Sequence, residues 1–224
     1  MTINHSKLSA VIFDMDGLML DTERIYQVAW RSAGQALGYP LSDALLHATT
    51  GRPAHDCYKL LLEDQGAEFP LEQFKATSSM HWEQHITTHG IECKAGLLEL
   101  LSLLDFHKIP KAVATSTAYT KALFSLRAAG IDAHFTDIVA GDQIRHGKPA
   151  PDIFLAAAQK LGVDPHQCIA LEDSEAGVMA AASAGMVTIM VPDMKQPSAE
   201  VAARAYRVFS SLHEVVQLIS TEWL

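Results

Sequence analysis

The stretch from Val11 to Gly17 constrains the fold more than any other part of the chain, because an apolar run ends there in two carboxylates and a glycine. Three consecutive apolar residues, 11–13, are typical of a strand that is buried on both faces, as in a parallel sheet. Asp14 and Asp16 follow this strand, and open α/β sheets bind ligands at the carboxyl ends of their strands. Acids in such positions also cap helices and close turns, so this motif alone leaves both interpretations open.

Three further apolar runs, at 112–114, 139–140 and 168–171, lead into polar residues. Parallel strands place their carboxyl ends at one edge of a sheet, so we expect these polar groups to lie close to Asp14 and Asp16. The polar groups are the hydroxyls of Thr115, Ser116 and Thr117, the ammonium group of Lys148, and the carboxylates of Glu172 and Asp173.

Taken in order, these motifs make the chain resemble the haloacid dehalogenase-like hydrolase superfamily, and the resemblance spans most of the chain. It implies an α/β fold with a Rossmann-like parallel sheet core, flanked by helices, and an inserted all-helical cap domain of the C1 type. The matching residues are the aspartate pair Asp14 and Asp16, the hydroxyl residue Thr115, Lys148, and the acidic pair Glu172 and Asp173.

Hydrophobic spacing indicates where the insertion lies. Apolar residues recur at helical intervals over 24–37, and further helical segments are predicted over 55–63 and 71–89. From 111 onwards strands alternate with helices, which predicts βαβ units and a parallel sheet. We therefore predict an α/β core domain formed by residues 1–22 and 95–224, with a helical cap domain at 23–94. The leucine-rich run 97–104 is predicted to be a packing face.

Composition narrows the functional classes. The 224 residues are 49% hydrophobic and 19% charged, which is enough to bury a sizeable core. With 17 basic and 26 acidic residues the net charge is −9, which argues against nucleic acid as a partner. Three widely spaced cysteines favour a reducing cytoplasmic compartment, and residues 1–9 lack the apolar stretch of a signal peptide. No run is long enough to cross a membrane, and a monomer is expected.

The residue types predict the chemistry of phosphate ester hydrolysis. Asp14 is the candidate nucleophile, since a carboxylate can attack phosphorus and form an aspartyl phosphate. Asp16 is the candidate general acid and base. Lys148 would supply a fixed positive charge, and Thr115 a hydroxyl donor. Mg²⁺ is the expected cofactor, with the oxygens of Asp14, the Asp16 backbone carbonyl and Asp173 as ligands and Glu172 supporting them.

Each of these assignments has a simpler alternative. Lys148 could be a surface lysine ahead of a helix. Thr115 could merely close a strand end, with Ser116 taking its substrate-binding role if the register shifts by one residue. The segment Glu172–Ser174 could cap a helix, a role that is compatible with metal binding.

The predicted cap contains two further features. Arg52, in the turn Thr50–Pro53, is a candidate for binding a substrate hydroxyl or a second phosphate, although a surface arginine in a tight turn is an equally good interpretation. His81, His85 and His89 recur every four residues, a spacing that could hold a transition metal. Because this row lacks an HExxH pattern, we interpret it as the solvated face of a helix.

The resemblance also indicates the reaction. Dehalogenases and phosphonatases of the superfamily lack the second aspartate, so Asp16 favours phosphoryl transfer from an ester. The stretches 16–24 and 146–155 look most similar to sugar-phosphate and pseudouridine-5′-phosphate phosphatases. The sequence therefore predicts a Mg²⁺-dependent phosphomonoesterase acting on a small phosphorylated metabolite. A β-phosphoglucomutase-like mutase is the alternative, weakened because Tyr26 stands where those mutases carry a histidine. A non-catalytic binding protein ranks lower, since no motif residue is missing.

Overall fold

The computed structural model describes residues 8–50, 52 and 54–224. They form two compact units, which we call the α/β unit and the helical unit. The α/β unit comprises the described residues up to Leu20 together with Glu92–Leu224, and the helical unit is Asp21–Ile91. The predictions for the first seven residues, and for Gly51 and Pro53 of the Arg52 turn, lie outside the described residues.

The helical unit contains four helices: α1 (Thr22–Ala36), α2 (Asp43–Thr49), α3 (Ala54–Gln65) and α4 (Leu71–His89). Aromatic contacts hold its core together, since Trp30 stacks on Tyr58 at 5.7 Å and packs edge-to-face on Phe74 at 5.2 Å. The helix predicted over 71–89 is confirmed as α4, whereas the seven-residue α2 is too short to show a clear period.

The α/β unit is built on six parallel strands in the order β3-β2-β1-β4-β5-β6, which confirms the predicted Rossmann-like sheet. Every residue of the central strand β1 is buried, as the run of apolar residues predicts. The strands are β1 (Ala10–Phe13), β2 (Lys111–Thr115), β3 (Asp137–Ala140), β4 (Cys168–Glu172), β5 (Val187–Met190) and β6 (Arg207–Val208).

Helices cover the sheet. The core on one face joins Ile12 and Ala170 of the sheet to Phe154 and Ala180 of two helices. The leucine-rich helix buries Leu97, Leu100, Leu101 and Leu104, which confirms that its run is a packing face. The helices are α5 (Leu97–Phe106), α6 (Tyr119–Ala128), α7 (Asp152–Leu161), α8 (Glu175–Ser183), α9 (Ala199–Ala202) and α10 (Leu212–Glu222). Within the described ranges, no helix combines the length and the apolar character that a membrane crossing requires.

Strand register brings the polar motifs to one edge. Phe13, the last residue of β1, pairs with Val113 of β2 and Leu171 of β4. The residues that follow these three are therefore neighbours at the carboxyl edge of the sheet, next to the point where the strand order reverses. The backbone N–H of Asp14 donates to the carbonyl of Leu171 at 2.9 Å, which fixes Asp14 beside Glu172.

The helical unit is inserted between two adjacent points of the α/β unit. Leu20, the last residue before it, and Cys93, just after it, form an antiparallel bridge. The backbone N–H of Lys94 donates to the carbonyl of Met19 at 2.8 Å. The two ends of the insertion are thus held together by main-chain pairing inside the α/β unit.

Candidate active site

Lys148 joins two of the predicted acids. Its ammonium group donates to Asp14 Oδ1, to Glu172 Oε1 at 2.5 Å and to the carbonyl of Ala114 at 3.0 Å. The Lys148 side chain is only 6% exposed, so the alternative of a surface lysine is wrong. The lysine lies directly before Pro149, to which it is joined by a cis peptide bond.

Burial sets the electrostatics of this group. It raises the pKa of Asp14 to about 8, and the nearby charges of Glu172 and Asp16 act in the same direction while Lys148 opposes them. Burial acts to lower the pKa of Lys148, but the carboxylates of Asp14 and Glu172 outweigh it and hold that pKa above its ordinary value. Lys148 therefore stays protonated. Its single ammonium group is shared by two carboxyl groups, those of Asp14 and Glu172.

Glu172 is completely buried, and backbone groups hold its second oxygen. Its Oε2 accepts from the backbone N–H groups of Asp173 and Ser174, each at 3.2 Å, and from the Ser174 hydroxyl at 3.0 Å. The same hydroxyl accepts from the N–H of Gly177 at 3.1 Å and caps α8, which confirms the helix-cap interpretation of this segment and leaves its metal-binding role a prediction.

Gly177 is required for this packing. A Cβ at that position would lie 1.9 Å from Glu172 Oε1 and from Glu172 Cδ, closer than any real contact. Any side chain at 177 would therefore displace the Glu172 carboxylate from its place between Lys148 and the start of α8. The glycine is explained by close approach, because its position is inside an ordinary helix.

Asp14, Glu172 and Asp173 form a group whose carboxylate oxygens lie within 4.8 Å of one another. It is the one group of three or more potential ligand residues in the described part of the chain. Gly17, with φ of 84°, brings the loop after β1 against it, since a Cβ there would lie 2.3 Å from Asp173 Oδ2. An all-oxygen set of clustered carboxylates fits a hard divalent cation such as Mg²⁺.

The Asp16 carboxylate faces hydroxyl groups and lies outside that group. Its Oδ2 accepts from Thr117 Oγ1 at 2.7 Å and from Thr115 Oγ1 at 3.3 Å. Thr115 Oγ1 in turn accepts from the backbone N–H of Thr117 at 3.1 Å. Thr115 is buried at the end of β2, whereas the neighbouring Ser116 is exposed. The structure therefore places Asp16, predicted as general acid and base, against Thr115, predicted as a hydroxyl donor.

A model of the haloacid dehalogenase-like hydrolases matches residues 11–191. The chain belongs to this family. It is 36% identical over 183 residues to "Phosphorylated carbohydrates phosphatase" of Thermotoga maritima, covering 81% of this chain and 84% of the relative. It is 34% identical over 220 residues to "Probable pseudouridine-5′-phosphatase" of Drosophila melanogaster, covering 92% and 90%.

Other relatives of this haloacid dehalogenase-like hydrolase include a mutase and a protein with bound phosphate. Beta-phosphoglucomutase of Bacillus subtilis is 31% identical over 190 residues, covering 82% of this chain and 83% of the mutase. The crystal structure of CbbY from Rhodobacter sphaeroides in complex with phosphate superimposes with a TM-score of 0.77 at 28% identity, covering 93% and 96%. The family and the relatives named as phosphatases show a phosphoric monoester hydrolase, and a phosphatase fits the set of relatives better than a mutase.

The sequence places Thr117 among the polar groups near Asp14 and Asp16 but assigns it no role, although Thr117 donates the shorter of the two hydroxyl contacts to Asp16. A signal was available, because residues two apart in an extended chain share a face, and Thr117 stands two residues after Thr115. The strand ends at Thr115, however, so the period-two rule does not by itself reach residue 117.

The features predicted for the cap lie in the helical unit. Arg52 is exposed, and its backbone N–H donates to the carbonyl of Thr49 at 3.2 Å. His85 and His89 have ring centroids 4.7 Å apart on α4, with His81 one turn earlier. The histidine row is not among the clustered ligand groups found in the described residues, and we assign it no metal.

Proposed function

We propose that this hydrolase is a Mg²⁺-dependent phosphomonoesterase that acts on a small phosphorylated metabolite through an aspartyl phosphate. The observation that carries the proposal is the buried contact of Lys148 with both Asp14 and Glu172, next to Asp173. This arrangement supplies a nucleophilic carboxylate, a fixed cation and a set of oxygen ligands at one strand edge.

In the first step, a carboxylate oxygen of Asp14 attacks phosphorus. The new bond joins that oxygen to phosphorus, and the bond between phosphorus and the leaving oxygen breaks. Asp16 gives its proton to the leaving oxygen, so that an alcohol departs rather than an alkoxide. Lys148 holds Asp14 through one carboxylate oxygen, which orients the nucleophile and balances part of its charge.

In the second step, Asp16 acts as a base. It takes a proton from a water molecule, whose oxygen attacks the phosphorus of the aspartyl phosphate. The bond between phosphorus and the Asp14 oxygen then breaks. Inorganic phosphate is released and the Asp14 carboxylate is regenerated. The hydroxyl of Thr117 holds the Asp16 carboxylate ready for both proton transfers, which leaves the hydroxyl of Thr115 to turn towards the substrate.

Asp14, Asp173 and the Asp16 backbone carbonyl would hold Mg²⁺, with Glu172 supporting it directly or through water. When bound, Mg²⁺ would reduce the electrostatic repulsion between an anionic phosphate and the Asp14 carboxylate. Lys148 and the Thr115 hydroxyl would stabilise the charge on the phosphoryl oxygens. The exposed Ser116 would contact the substrate.

The names of the relatives support a sugar or nucleoside monophosphate as substrate, and a polyol monophosphate is a third candidate. We propose that residues 23–94 act as the cap that selects the alcohol.

The chain's three cysteines are thiols, which supports a cytoplasmic enzyme. We propose that it acts as a monomer, without nucleic-acid or membrane partners.

A phosphosugar mutase is the second candidate, favoured by the similarity to beta-phosphoglucomutase. Tyr26, which stands where the mutases carry a histidine, stacks on Trp82 within the helical unit at 5.7 Å. A phenol exchanges protons far less readily at neutral pH than an imidazole does, so tyrosine is a poor substitute for that histidine. Added sugar bisphosphate would support isomerisation of a sugar monophosphate only in a mutase.

The proposal is tested by phosphate release from a panel of sugar, polyol and nucleoside monophosphates, with Mg²⁺ and with EDTA. Asp16→Asn is measured beside the wild type on an alkyl ester and on an aryl ester. We expect kcat/KM to fall about 10²–10⁴-fold on the alkyl ester, because its alcohol needs a proton in order to leave. The loss should be much smaller on the aryl ester, whose phenolate leaves unaided.

Aspartyl phosphate should also accumulate in Asp16→Asn, since the water that hydrolyses it lacks its base. An initial burst of phenolate from the aryl ester would report this accumulation. Equal losses of kcat/KM on the two esters would show that Asp16 is not the acid. No phosphate release from any ester would favour the mutase, and then the non-catalytic protein.

Arg52→Ala tests the proposed role of the cap. If Arg52 binds the substrate, KM should rise for the best metabolite of the panel and change little for a generic aryl phosphate. The matched control is Arg31→Ala, which removes another exposed arginine of the helical unit, paired with Asp43 at 2.7 Å. An unchanged KM for every substrate would show that Arg52 does not bind the substrate.

A further inference from the structure

Asp193 lies in the loop after β5 and belongs to none of the sequence motifs. Its Oδ1 pairs with the ammonium group of Lys94 at 2.5 Å. The Asp193 side chain is 11% exposed, and that of Lys94 is 28% exposed. The pair is thus largely shielded from water, at the point where the chain re-enters the α/β unit.

The other oxygen of Asp193 has an unusual environment. Oδ2 is buried and accepts no hydrogen bond from the described residues. Leaving a buried acceptor unsatisfied is unfavourable, more so for a charged group, and such an atom in a native protein calls for an explanation. Either a ligand or an ordered water supplies the missing donor.

The position of Asp193 Oδ2 indicates where its missing hydrogen-bond donor comes from. A Cβ built on Gly17 would lie 3.4 Å from Asp193 Oδ2 and 2.3 Å from Asp173 Oδ2. The two carboxylates therefore face the same glycine. Asp173 is one of the three clustered acids, so the unsatisfied oxygen of Asp193 lies beside the candidate metal site.

We propose that Asp193 is a positioning residue for the metal, whose Oδ2 accepts a hydrogen bond from a water molecule bound to the cation. The inference rests on the proposed function, in which Asp14 and Asp173 hold Mg²⁺. Mg²⁺ keeps several of its waters when proteins bind it, and residues that hold such waters tune metal affinity. In the metal-free protein Lys94 balances the charge of Asp193.

This role gives Asp193 and Lys94 opposite effects on metal binding. Asp193 attracts the cation and accepts from its water, so removing its charge weakens binding. Lys94 repels the cation and draws on the charge of Asp193, so removing the ammonium group strengthens binding. If the two residues merely formed a structural ion pair, both substitutions would act in the same direction.

The test is calorimetric titration of the full chain with Mg²⁺ alone, in phosphate-free buffer. We expect the Mg²⁺ dissociation constant to rise roughly 10-fold in Asp193→Asn. In Lys94→Met it should fall on the order of threefold. Asp193→Asn preserves the shape of the side chain, and thermal unfolding in EDTA shows whether each variant is folded. Asp105→Asn, which disturbs the contact with Lys111 at the opposite strand edge, should leave the dissociation constant unchanged.

Asp173→Asn separates the two proposals. If it abolishes Mg²⁺ binding while Asp193→Asn binds as the wild type does, the role of Asp193 is refuted and the metal site stands. If Asp193→Asn and Lys94→Met both weaken binding to the same extent, the pair is structural and the role of Asp193 is likewise refuted. A wild-type protein that binds no Mg²⁺ would overturn both proposals.

Discussion

Replacing Asp14 by asparagine is expected to abolish phosphate release, lowering kcat at least about 10⁴-fold, since removing the nucleophile of a covalent mechanism has effects of that size or larger. The amide nitrogen and oxygen cannot form the acyl phosphate that a carboxylate forms. Asparagine has the same shape as aspartate, so the chain should keep its fold. Steady-state phosphate release on the best substrate of the panel measures the loss, and circular dichroism checks the fold.

Asp137→Asn is the matched control for this substitution. Asp137 begins β3 at the opposite edge of the sheet, where it pairs with Lys160 at 3.3 Å. The same chemical change there should leave kcat unaltered. Mg²⁺-dependent turnover that survived in Asp14→Asn would exclude Asp14 as the nucleophile, whatever the effect on the control.

Replacing Lys148 by methionine is expected to reduce both activity and stability. The loss of a fixed positive charge from the phosphoryl oxygens should lower kcat by about 10²–10³-fold. Asp14 and Glu172 would be left buried without their shared cation, and breaking a buried pair in this way costs about 3–5 kcal/mol of unfolding free energy. Urea unfolding in EDTA measures the second effect separately from metal binding.

The chain offers a close control in Lys111. It is also buried and also pairs with a carboxylate, that of Asp105, but it begins β2 at the far edge of the sheet. Lys111→Met should destabilise the fold and leave kcat unchanged. If both lysine variants lost stability and neither lost activity, Lys148 would be a structural residue only.

The fold follows from the sequence where local patterns determine the structure. The apolar run before Asp14 is β1, and it is buried on both faces as a central parallel strand should be. Alternation of apolar runs with helical periods after residue 111 predicts the parallel sheet, and the sheet edge then brings Asp14 and Glu172 together. These contacts also depend on strand register, which an uninterrupted apolar run does not fix, because it lacks the alternation that distinguishes one face of a strand from the other.

Features that depend on distant packing are not predictable in this way. Nothing in the sequence near Asp193 indicates that Gly17 and Lys94 lie against it, because these contacts join three separate loops. Gly177 likewise reads as an unremarkable helix residue until Glu172 is seen to occupy the space of its missing side chain. Such residues are recognised by close approach in three dimensions, whereas sequence patterns report periodicity along one element.

The bridge between Leu20 and Cys93 has a consequence for how enzymes of this architecture diversify. Because the two ends of Asp21–Ile91 are paired by main-chain contacts, the intervening segment behaves topologically as a single long hairpin loop. Closing a longer loop costs only slightly more entropy, and loops tolerate insertion better than strands do. Substitutions, insertions and even exchange of that segment can therefore accumulate without shifting any strand of the sheet. The acids at the carboxyl edge of the sheet can therefore keep their register while the inserted segment changes in length and sequence.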